Sequence, residues 1–90
     1  MKDISVGDVV KSTAGRDKDK FFLVVEVSEK FAVIADGKTR KIQNAKRKNL
    51  KHLVKAAGAS LNSEALKINS GEPFGNEKLH RAITRAIQNQ

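Results

Sequence analysis

The chain has 90 residues, a formal net charge of +8, and no Cys, Trp or Tyr. That length suits one compact domain with a modest core, and it leaves no room for two lobes enclosing a deep cleft. The lack of Cys excludes a disulfide framework, a thiol nucleophile and a Cys-ligated zinc or iron–sulfur site, and no apolar run approaches the roughly 20 residues of a membrane span.

The first ten residues, MKDISVGDVV, lack the apolar segment of a secretory signal and carry Asp3 and Asp8 early, so a cytoplasmic protein is expected. Residues 6–13 read as a first strand, with β-branched Val9 and Val10 after a turn-like Gly7-Asp8. Ala14 to Lys20 is a polar loop punctuated by Gly15. FFLVVEVS, residues 21–28, is the strongest strand signal, rich in aromatic and β-branched residues. Its alternation predicts an inner face of Phe21, Leu23, Val25 and Val27, with Phe22, Val24 and Glu26 on the other side.

A short turn at 28–30 leads to a third strand, FAVIA at 31–35. Asp36-Gly37 follows, and the spacing predicts a two-residue hairpin turn with a fourth strand over 38–42. QNAKRKN, residues 43–49, reads as a polar loop or a single tight helical turn, and LKHLV at 50–54 as a closing strand. Five short strands with tight turns in about 50 residues predict a small barrel.

The composition shifts at AAGASL, residues 56–61. The predicted organisation is a barrel over residues 1–58 and a C-terminal helical extension over 59–90. Asn62 or Ser63 is placed to cap a short helix with Glu64 in its first turn. GEPFG, with the only Pro, is a turn, and Asn76 is placed to cap a helix running to about Gln88. Leu79, Ala82, Ile83, Ala86 and Ile87 recur at helical spacing, a stripe suited to docking on the barrel.

The charge is not spread evenly. Residues 1–36 carry a net of −1 and residues 56–90 a net of +1. The stretch 37–55 holds Lys38, Arg40, Lys41, Lys46, Arg47, Lys48, Lys51 and Lys55 with no acid among them. Such local self-repulsion is most simply explained by a polyanionic partner, since a merely solvated basic face mixes acids with its bases.

Residues 6–25, VGDVVKSTAGRDKDKFFLVV, resemble the KOW motif, with Gly7, Val9, Gly15, Lys18 and Lys20 at the expected places. The later run ADGKTRKIQNAKRKNLKHL is similar to the continuation in KOW-domain proteins of the fourteen-e family of large-subunit ribosomal proteins. The resemblance covers Asp3 to Val54 and implies an SH3-like barrel of the KOW type that binds RNA, often ribosomal RNA. One residue departs from the motif: Asp19 stands where a second glycine is common.

The candidate RNA-binding residues are therefore Arg16, Lys18, Lys20, Lys38, Arg40, Lys41, Lys46, Arg47, Lys48 and Lys51. Arg40 and Arg47 are best suited to paired contacts with phosphate or guanine, because guanidinium is a planar fork. The aromatic shortage predicts recognition through phosphates and RNA shape rather than base stacking. His52 and His80 lie far apart in sequence and form no metal spacing, and no nucleotide-binding glycine fingerprint is present. No enzymatic activity, cofactor, metal or small-molecule substrate is expected. Asp17 and Asp19, flanked by bases, read as a solvated loop. The competing expectation is a KOW module that docks on a protein of the transcription or translation machinery. Pro-rich peptide recognition is disfavoured, because such grooves are lined by aromatics.

Overall fold

The computed structural model describes residues 3–56 and 60–88. Five strands come first: β1 Val9–Ser12, β2 Phe21–Val27, β3 Phe31–Ala35, β4 Lys46–Asn49 and β5 Leu53–Lys55. Two helices follow, α1 Asn62–Asn69 and α2 Asn76–Gln88. The strands form one antiparallel sheet in the order β4-β3-β2-β1-β5. Short 3₁₀ turns at Ile42–Asn44 and Leu50–His52 precede β4 and β5. The expected boundary between residues 58 and 59 lies outside the described residues. No helix among the described residues is long and apolar enough to cross a membrane.

The sheet is buried on both faces. One face places Val9, Leu23, Val25 and Ala35 against Ala65 of α1 and Leu79, Ile83 and Ala86 of α2. The other gathers Val10, Phe22, Val24, Ala32, Ile34 and Leu53 with Ile4. No helix residue among those described belongs to this second cluster, yet Phe22, Val24, Ile34 and Leu53 are almost fully buried. This second face is covered by its own side chains, with Leu50 packed against them. Burial on both sides also explains why β2 reads as a continuous apolar run.

Three expectations are corrected. Phe22 and Val24 are core, whereas Val27 is exposed. A register shift between Val24 and Glu26 in the β2–β3 ladder inserts a bulge, so the alternation of faces changes parity beyond Val25. Residues 38–42 form no strand. The Asp36 carboxylate accepts the N–H groups of Lys38 at 2.9 Å and Arg40 at 2.7 Å, and the chain coils around it. Gly37 does take a positive φ of 79°, but Asp36 does not, so the turn is not the two-residue hairpin.

The fourth strand is instead Lys46–Asn49, inside the stretch read as a loop, and it pairs with β3 from Phe31↔Asn49 to Ile34↔Lys46. The helix starts also differ from expectation. Leu61, not Asn62 or Ser63, is at the N-cap of α1, without a side-chain cap. The Asn76 side chain is turned away from its own helix, accepting the Ile42 N–H at 2.7 Å and donating to Gln43 at 2.8 Å.

Candidate functional site

The β1–β2 loop is held by its own backbone. Lys18 and Lys20 N–H groups bond back to Gly15 and Asp17, and the Asp19 N–H reaches the Ser12 carbonyl at 2.8 Å. Asp19 sits at φ 70°, the left-handed region, and is the only non-glycine residue among those described to do so. That is the conformation a glycine would adopt without strain, and Asx side chains tolerate it better than most. Asp19 thus occupies a backbone position suited to glycine.

Asp17 organises this end of the molecule. It is 7% exposed, not the solvated loop acid expected from its basic neighbours. Its carboxylate accepts from the Lys48 ammonium at 2.7 Å and from the buried Ser12 hydroxyl at 2.9 Å, with the Lys46 ammonium at 3.5 Å. Lys48 also donates to the Ala14 carbonyl at 2.8 Å. Burial alone would raise the Asp17 pKa, but the hydrogen bonds from Lys48 and Ser12, with the charges of Lys48 and Lys46, outweigh it and hold the carboxyl at about 2. The arrangement clamps edge strand β4 to the β1–β2 loop.

Above the clamp, Arg16, Lys20, Arg40 and Lys46 line one shallow depression with Thr39, and Phe22 and Asp17 complete its walls. Asp17, its only acid, is already engaged by Lys48 and Lys46. Three segments converge here: the β1–β2 loop, the turn after β3, and the first residue of β4. A second depression shares Lys20 and Thr39 with the first and continues past Lys38 and two acids, Asp19 and Asp36, to His80 and Thr84 of α2. The two together form a trough along one side of the molecule.

The structure therefore brings Arg16, Lys20, Arg40 and Lys46 together, with Lys38 beside them. Lys18 and Lys41 are exposed on the same two loops. Lys48 lies beneath, spent on Asp17, and is only 9% exposed. Arg47 and Lys51 lie elsewhere. Arg47 alternates to the other face of β4 and stacks on Phe31, 4.6 Å from the ring centroid. Lys51 borders a separate depression with Ile4, Val27, Lys30 and Leu50. His52 is half-buried, and its carbonyl accepts the Thr13 N–H at 2.9 Å.

Sequence reasoning missed Asp17 as the organising acid and Thr39, His80 and Thr84 as trough walls. Only the pairing of β4 with β3 carries Lys48 to Asp17, 31 positions away in sequence. Compared with family models and with curated proteins, the chain matches none.

Proposed function

We propose that the protein is a non-enzymatic RNA-binding module, an SH3-like barrel of the KOW type, and that Arg16, Lys20, Arg40 and Lys46 grip the phosphate backbone of structured RNA. The observation that carries the reading is their convergence on one depression whose single acid is already neutralised. Cations held together without free counter-charges repel one another, and a polyanion relieves that repulsion. Two arginines in the cluster add planar forks matched to phosphate oxygens. The five-stranded antiparallel sheet, buried on both faces, is compatible with the barrel, and the resemblance to the fourteen-e family points to ribosomal RNA of the large subunit in the cytoplasm.

The test is binding to ribosomal RNA fragments and to tRNA across a salt series. Affinity is expected to fall steeply with salt, because each phosphate that the protein neutralises releases counterions. Changing Arg16, Lys20 and Arg40 together to Gln should flatten the log–log slope by about 0.7 to 0.9 for each phosphate no longer neutralised, using nucleic-acid values for single strands and duplexes. If the unaltered protein binds none of these RNAs at low salt, the reading fails and docking on a protein partner replaces it.

A further inference from the structure

The chain has four phenylalanines. Phe22 is buried in the core on the other face, and Phe21 and Phe74 pack against the helix-covered core. Phe31 belongs to neither cluster. It sits half-exposed at the start of β3. The Arg47 guanidinium lies over its ring at 4.6 Å. Arg47 is exposed, and no carboxylate pairs with it among the described residues. The guanidinium thus lies over the ring while the Arg47 side chain as a whole stays exposed to solvent. Together with Glu26, Val27, Ser28 and Val33 the pair lines a depression of about 130 Å³.

An aromatic ring with no core role, stacked under an arginine that has no acidic partner, is a platform for another flat ring. Bases splayed from single-stranded RNA stack on aromatic side chains and on guanidinium planes, and are then read along their polar edges. The depression carries one acid and one base, so it suits a neutral ring rather than a phosphate. Glu26 is exposed, and a carboxylate there offers only acceptors. Guanine presents two adjacent donors on its Watson–Crick edge, which matches the two carboxylate oxygens. Uracil presents a single donor flanked by acceptors.

We infer that the Phe31–Arg47 surface receives one unpaired nucleobase, guanine in preference to uracil, at a site separate from the phosphate-gripping cluster. The inference rests on the RNA reading above. It adds an interaction that depends on base stacking to one that depends on charge.

The probe is a short oligouridylate carrying one central guanosine, compared with the same strand bearing uridine or an abasic residue there, and with a blunt RNA duplex. With the unaltered protein, the abasic strand should bind about tenfold more weakly than the guanosine strand, the loss of one stacked base. Phe31→Leu should lose a similar factor on the guanosine strand, bind the abasic strand as the parent does, and leave duplex binding within about twofold. Arg47→Lys keeps the charge and loses the plane, so it should weaken the guanosine strand while the salt slope is retained. Glu26→Gln should abolish the preference for guanosine over uridine. Equal binding of the guanosine and abasic strands by the unaltered protein overturns the inference without relying on any variant. If RNA binds in a salt-dependent way but these substitutions change nothing, the stacking site is wrong and the basic cluster stands. If no RNA binds at all, both fall.

Discussion

At Asp17 and Lys48 the molecule buries two opposite charges 2.7 Å apart, beside an edge strand and a tight loop. Removing one partner of a buried pair leaves the other without compensation, which is strongly destabilising. Lys48→Met should lose about 3 kcal/mol at pH 7, measured by denaturant unfolding. The pH dependence has a fixed sign. The folded-state pKa of Asp17 lies below its ordinary value of 3.8, at about 2. Its contribution is therefore full above the ordinary value and is lost as pH falls through that interval. The gap between parent and Lys48→Met should shrink between about pH 4 and pH 2, and a gap that stays constant there would show that the pair contributes nothing. Lys48 was a candidate RNA-binding residue because it stands among bases in KRKN. Its partner is 31 positions away, so no local pattern announces that it is spent. Asp19, at φ 70°, makes the opposite case. Its backbone takes the left-handed conformation that glycine adopts without strain. Asp19→Gly should leave stability within about 1 kcal/mol, trading left-handed strain against the exposed Lys11 pair and added unfolded-state freedom. Asp19→Val, β-branched at positive φ, should lose more than that.

Among the elements, β2, β3 and α2 were legible because apolar periodicity is a property of neighbouring residues. β4 was not, since KRKN carries no apolar side chain and becomes a strand only by pairing with β3 and docking Lys48 on Asp17. The turn after β3 was half legible. Asp36-Gly37 does turn the chain, but the Asp36 carboxylate captures two backbone N–H groups and makes a longer loop. Gly37 serves a second purpose there: a Cβ on it would run into the Asn76 carbonyl at the start of α2. Gly37→Val therefore combines positive-φ strain with displacement of α2, and should lower thermal stability more than Asp19→Val. The bulge in β2 shows the same interdependence. Beside the Val24/Glu26 register shift, the Val25 carbonyl accepts instead from the Asn69 carboxamide of α1, at 2.7 Å. Asn69→Leu should lose about 1 to 2 kcal/mol, the penalty for leaving a part-buried acceptor unmet. A variant as stable as its parent would show that water satisfies Val25 instead.

Across the whole molecule, the C-terminal helices share a hydrophobic core with the sheet. Ala65 and Leu79 are fully buried, and they share one cluster with Val9, Leu23 and Ala35 of the sheet. The core on the other face holds seven buried residues among those described, and a core that small leaves little stability to spare. The candidate cluster depends on the same packing, because the turn bearing Thr39 and Arg40 is tied to α2 through Asn76 to Ile42 and Gln43. The sequence made the basic stretch visible but not its division. Charge counting treats Lys46, Arg47 and Lys48 alike, whereas strand alternation sends Lys46 to the trough, Arg47 to Phe31 and Lys48 into the clamp. Removing residues 73–90 tests how far fold and site are coupled. The truncated chain would expose Leu23, Val25 and Ala35, apolar surface that promotes association. It should lose its cooperative thermal transition and bind RNA without the salt slope of the full chain. A truncated chain that melts cooperatively near the parent temperature, with an unchanged slope, would show instead that sheet and cluster are complete without α2.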